Sequence, residues 1–201
     1  MKNKNVTKKN VKQLVPLGLL SAIMLIMAWT PLGYLNIGPL AITLNVIPLA
    51  VAAITLGPVG GGIMGAVFGL TSFLQCLGIG GISAMGQILF GINPFFSFVQ
   101  RFVPRVLDGI IIGFVFDGIR KKIGVKKAAY ITGFLAAFVN TALFMAALVL
   151  LFGATEYVQN LVGGRNIIVV ICTFVGINAV FEMTVSTLVS GAIGSALLKH
   201  R

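Results

Sequence analysis

Twelve of the fifteen basic residues in this 201-residue chain stand in three short clusters, each beside a long apolar segment. Lys2, Lys4, Lys8, Lys9 and Lys12 open the chain. Arg120, Lys121, Lys122, Lys126 and Lys127 crowd one short stretch, and Lys199 and Arg201 end it. Between the clusters run segments too apolar to face water. With 58% hydrophobic and 9% charged residues and a mean hydropathy of +1.05, the chain cannot clothe a soluble surface. The same composition excludes disorder, which needs low hydrophobicity. A net charge of +11 points toward nucleic acid only if the cations act together on many phosphates, and three separated clusters do not. Positive charge retained beside apolar spans is how membrane topology is written in sequence.

The expected architecture is an all-α integral membrane protein, a six-transmembrane-helix bundle with both termini cytoplasmic. Residues 1–13 form a basic cytoplasmic tail, and 14–199 a single membrane domain. The spans fall at 14–30, 44–57, 59–76, 95–119, 128–152 and 166–198. Gly57-Pro58 marks a tight turn between the second and third. Residues 31–43 begin as loop, 77–94 form a Gly-rich uncharged loop or broken helix, 120–127 a basic inner loop and 153–165 a polar outer loop. The basic start and apolar run that follows resemble a signal peptide. No small-residue cleavage site follows, so the segment reads as a retained first helix.

Small residues recur at helical spacing. Gly57, Gly61, Gly65 and Gly69 form a stripe. Gly109 and Gly113; Ala129, Gly133 and Ala137; and Thr187, Gly191 and Ser195 continue the pattern on later spans. Such residues let helices approach closely where lipid gives no hydrophobic drive. For most, packing within the chain suffices; Gly18 and Ala22 on the first helix are also candidates for docking a second membrane subunit.

Ionisable groups within apolar spans carry more information, because burying charge in hydrocarbon is costly. Arg101, Arg105 and Asp108 share one face of the fourth helix, with Pro104 between the arginines as a source of a kink. Arg105 and Asp108 are expected to join Glu182 of the sixth helix in a structural ion network. Arg101, nearer the outer face, is the candidate ligand group, since a guanidinium fork suits a carboxylate; snorkelling to the interface is its bland alternative. Asn140 and Asn178 supply amides at membrane depth, as interhelical glue or as ligand contacts. Asn45, Gln75, Gln87 and Asn93 cluster at the outer ends, with Tyr34 and Trp29 in position to cover them; Tyr34 and Asn36 join these four, Arg101, Asn140 and Asn178 as the candidate substrate-binding residues. Asp117 is expected to pair locally with Arg120.

Catalytic signatures are missing. There is no P-loop, no HExxH, no metal cluster and no Ser–His pair, since His200 is the one histidine. Asp108-Gly109 and Asp117-Gly118 do not extend into the motif of CDP-alcohol transferases: Ile112 and Gly113 stand where Ala and Arg are needed. Cys76 and Cys172 read as buried small hydrophobes. No catalytic residue, cofactor or metal is expected.

Three stretches resemble the substrate-binding S components of energy-coupling factor (ECF) vitamin transporters. IPLAVAAITLGPVGGGIMGAVFGLTSFLQ, residues 47–75, is similar to their LGP turn and Gly-rich helix. WTPLGYLNIGPLAITLNVIPL, residues 29–49, and INPFFSFVQRFVPRVLDG, residues 92–109, resemble the outer loop and fourth-helix entry of pantothenate-type members. The resemblance spans essentially the whole chain. It implies a vitamin site near the outer face, gated by loops 31–43 and 77–94, and release by tilting of the whole component. It implies partners as well: a transmembrane coupling subunit and two cytoplasmic ATPase subunits, in a bacterial cell membrane. Gly18 and Ala22 match the family's docking residues in type, its Ala-x-x-x-Ala form being absent from this helix. Pantothenate is the expected vitamin, bound through Arg101, Asn140 and the outer amides. Riboflavin, for which Trp29, Tyr34, Phe95 and Phe96 would make an aromatic slot, folate, an autonomous transporter and a membrane enzyme are the alternatives.

Overall fold

The computed structural model describes residues 2–30, 33–36, 41–164 and 167–199, with side chains except those of 2–12, 34–36, 41, 42, 167–175 and 177. Within them the helices are α1 (Lys2–Ala28), α2 (Val46–Leu74), α3 (Ala84–Ile92), α4 (Pro94–Ile123), α5 (Val125–Phe152), α6 (Glu156–Val162) and α7 (Ile167–Lys199). Three segments are long and apolar enough to cross a membrane: Val46–Leu77, Val125–Phe152 and Asn178–Lys199. Gln13–Ala28 is apolar but shorter. The 30-residue α4 is not among them, and it carries Arg101, Arg105 and Asp108.

The helix α2 is two legs. Gly57 breaks it at φ 74°, ψ −166°, a conformation that a side chain would strain. Pro58 then starts the second leg, where its missing N–H costs nothing. Leu49 and Ala52 of the first leg pack in one cluster with Met64 and Phe68 of the second. In a straight helix Leu49 and Phe68 would stand roughly 28 Å apart. The chain therefore doubles back at the tight turn expected from Gly57-Pro58.

The glycine stripe explains how the second leg meets α4. A Cβ at Gly61 would strike the Gly109 carbonyl, one at Gly65 the Arg105 carbonyl, and one at Gly69 the Phe102 backbone. Reciprocally, Gly109 abuts the Gly61 carbonyl, and Gly113 the backbone of Gly57 and Pro58. The two helices run antiparallel in four-residue steps, backbone against backbone. Gly133 of α5 likewise meets Ser186 and Thr187 of α7, and Ser186 Oγ donates to the Gly133 carbonyl at 2.7 Å.

Several expected loops are structured. Residues 120–127 are not a loop: α4 and α5 are joined at Gly124 alone, whose φ is 84°. Arg120, Lys121 and Lys122 fill the last turn of α4, where cations suit the helix dipole. Lys126 and Lys127 begin α5, where they oppose it, with no acidic residue in that turn. Within 31–43, the three-residue strands β1 (Tyr34–Asn36) and β2 (Ala41–Thr43) pair antiparallel, Tyr34 opposite Thr43, a small addition to an otherwise helical fold. Residues 77–94 follow a 3-10 turn at Gln75–Leu77 and contain α3, capped by Ser83: the broken-helix expectation holds. Within 153–165, Thr155 caps α6 and Gly163 closes it in the left-handed region. There Tyr157 packs on the apolar cluster of Leu89, Met145, Leu148 and Phe152, and this partial burial raises its phenol pKa. Cys76 is buried as expected; the Cys172 side chain lies outside the described residues.

Candidate ligand-binding site

One face of α4 is buried and polar: Ser97, Gln100, Arg101, Pro104, Arg105 and Asp108, at helical spacing. Arg101 is 6% exposed, so it does not snorkel. Its Nη1 donates to Ser72 Oγ at 3.3 Å and its Nη2 to Ser83 Oγ at 3.1 Å. Its guanidinium carbon lies 5.2 Å from the Phe144 ring centre. Among the described residues no carboxylate forms an ion pair with it.

Pro104 acts here through the hydrogen bond it cannot make. A residue with an N–H at 104 would bond the Gln100 carbonyl four residues back. That carbonyl instead accepts from Arg105 Nη1 at 3.4 Å. The backbone of α4 continues as helix through Pro104, and the freed acceptor helps to anchor a buried arginine. Arg105 also stacks on Phe144 at 4.3 Å and Phe68 at 5.2 Å. Arg105 and Asp108 share this buried face of α4, but neither Asp108 oxygen has a hydrogen-bond partner among the described residues, so the ion network with Glu182 stays an expectation. Glu182 also holds the small sheet: its Oε1 accepts from the Thr43 backbone N–H at 2.5 Å, tying β2 to α7.

The outer residues divide by role. Asn93 caps α4, its Oδ1 accepting from Phe96 N–H at 3.0 Å. Gln75 Nε2 donates to the Ala28 carbonyl at 2.9 Å and fastens the end of α1. Asn45 is buried, and its Nδ2 reaches the Gly33 carbonyl at 3.5 Å. Gln87 is exposed on α3. Asn140 and Asn178 are buried on α5 and α7. Tyr34 and Asn36 lie on β1, but their side chains are outside the described residues. The Trp29 indole rests against Gly80, linking the segment after α1 to the loop before α3. Gly18 and Ala22 face outward on α1, and nothing lies within 4 Å of a Cβ placed at Gly18. Asp117 and Arg120 form the expected local pair at 3.0 Å.

Several buried polar atoms find no hydrogen-bond partner among the described residues. They include Arg101 Nε, both Gln100 amide atoms, both Asp108 oxygens, Asn140 Oδ1, Asn45 Oδ1, Thr43 Oγ1, Thr132 Oγ1 and Ser190 Oγ. Each such group costs about 1–3 kcal/mol if left bare. The Arg101 guanidinium suits an anionic ligand, and the unmet amide of Gln100, next to it in the chain, suits one that also carries hydrogen-bonding groups. Sequence reading missed Ser72, Ser83, Gln100 and Phe144. Only Gln100, adjacent to Arg101, and Phe144, one turn after Asn140, carried a signal in their spacing.

A family model described as "ECF transporter, substrate-specific component" matches residues 12–193. The chain is 30% identical over 203 residues to "Pantothenate transporter PanT" of Leuconostoc mesenteroides subsp. mesenteroides, covering 96% of this chain and 95% of that protein. It is 26% identical over 203 residues to "Pantothenic acid transporter PanT" of Lactococcus lactis subsp. cremoris, covering 96% and 97%.

Proposed function

The chain belongs to the substrate-specific components of ECF transporters, and on that premise we propose that it captures pantothenate at the outer face of a bacterial cell membrane. The observation that carries this reading is Arg101: a buried guanidinium held by two serine hydroxyls and an aromatic face, with no carboxylate of its own among the described residues. A cation so placed is short of an anion, and a bidentate carboxylate supplies one. Pantothenate is anionic and rich in hydroxyl and amide groups, which answers the orphaned amides around Arg101. The names of the two relatives support the same vitamin.

The remaining parts of the proposal follow from the family. The chain crosses the membrane six times within one domain, 14–199, with both termini and the Arg120–Lys127 turn in the cytoplasm. The two legs of α2 serve as two of the crossings. Asn45, Asn140 and Asn178 assist Arg101, and Tyr34, Asn36 and Gln87 belong to the covering loops. Gly18 and Ala22 dock a transmembrane coupling subunit, and two ATPases energise import. The chain itself performs no chemistry on the vitamin.

Calorimetry on the purified chain alone tests the capture step. Saturable binding of pantothenate, with none of riboflavin or folate, is the expected result. Binding of one of those vitamins instead would reassign the substrate. Pantothenate uptake into liposomes by the chain alone would favour an autonomous transporter.

A further inference from the structure

Gln100 stands out among the buried side chains. It is 0% exposed, and neither its Nε2 nor its Oε1 has a partner among the described residues. A buried amide left bare at both ends is destabilising, because each unmet group loses its water without gaining a partner. Leucine or methionine would fill the same space without that penalty. Its place on the helix is equally specific. It precedes Arg101, shares the buried face of α4 with both arginines, and lends its backbone carbonyl to Arg105. The fold uses the main chain of this residue and leaves its side chain unengaged.

We propose that the Gln100 side chain is a specificity-determining ligand contact, reading a neutral donor–acceptor group of the vitamin whose carboxylate Arg101 takes. This rests on the capture reading above. An amide offers one donor edge and one acceptor edge, so it fits an amide or hydroxyl of the ligand and gives nothing to a purely apolar one. A site built to hydrogen-bond such a group discriminates strongly against molecules that lack it, because the site's own polar atoms are then left bare.

Gln100→Met separates this from a structural role, because it removes both amide atoms and keeps the carbonyl that holds Arg105. Pantothenate affinity by calorimetry and the ligand-free thermal midpoint are measured on the full chain in detergent. The expected result is a Kd weakened by about ten- to a hundredfold with a midpoint equal to or above that of the wild type. A lowered midpoint with unchanged Kd assigns Gln100 to the fold and overturns the proposal. Gln100→Asn is the second variant: it keeps the amide but withdraws it by one methylene, and unchanged affinity there overturns the proposal even if the Met variant fails to fold. Failures at the two levels are distinguishable. A folded wild-type chain that does not bind pantothenate removes the capture reading and this assignment with it. A wild type that binds, beside variants that bind equally well, removes only the role of Gln100.

Discussion

Arg101 keeps its charge inside the bundle because its environment is polar in detail although apolar in composition. Ser72 and Ser83 meet the guanidinium fork, and Phe144 offers its negative face. A lysine there would preserve charge but lose both the planar fork and the stacking. Arg101→Ala is therefore expected to weaken an anionic vitamin by about a hundredfold, and Arg101→Lys by about tenfold, with the fold retained in both. Calorimetry with a thermal melt of each variant checks this; wild-type affinity in the alanine variant would take Arg101 out of the site. Ser83 ties the arginine to a neighbouring element. Its hydroxyl both caps α3, accepting from Gly86 N–H at 3.2 Å, and accepts from Arg101, so the start of α3 is fixed to the arginine.

At the scale of elements, glycine sets the distance between helices. The second leg of α2 meets α4 with no side chain between Gly61 and Gly109. Gly61→Leu is expected to destabilise the chain by roughly 1–3 kcal/mol or more, since the carbonyl it would strike belongs to a packed helix and cannot rotate away. Gly118→Ala is the control. A Cβ at Gly118 meets nothing within 4 Å, so better helix propensity should raise stability by up to about 1 kcal/mol. Unfolding midpoints of the two variants should move in opposite directions; equal shifts would show that the stripe does not govern this contact. The four-residue repeat made the stripe readable in sequence. Its partner was not, because Gly109 and Gly113 are one pair among several with the same spacing.

At the scale of the molecule, the proposed topology accounts for basic residues that helix stability does not. Lys126 and Lys127 sit at a helix start that the dipole makes unfavourable for cations. The turn at Gly124 gathers them with Arg120, Lys121 and Lys122 at one end of the bundle, the arrangement expected for a cytoplasmic face. The outward face of α1, with Val15, Leu19 and Ile26 exposed around Gly18 and Ala22, is the proposed docking face. Gly18→Leu should leave pantothenate binding unchanged and reduce co-purification with a coupling subunit, because open space surrounds this glycine within the chain. Undiminished assembly would move the docking face elsewhere.

The sequence by itself determined the apolar helices, the turn at Gly57-Pro58, the Asp117–Arg120 pair and the single face shared by Arg101, Arg105 and Asp108. All of these are local: composition, a glycine–proline step and helical periodicity act over a few residues, and hydropathy needs no partner. What the tertiary structure decided is non-local. Ser72 and Ser83 come from segments 29 and 18 residues before Arg101, and Glu182 reaches Thr43 across 139 residues. No spacing rule connects such residues; they meet because backbones pack closely at glycines and bring distant helix faces together. The same packing decided which amides are occupied, Asn93 and Gln75 in holding helix ends, and which have atoms unmet among the described residues, Gln100 and Asn140. A side chain's free hydrogen-bonding capacity depends on its neighbours, and the linear chain does not contain them.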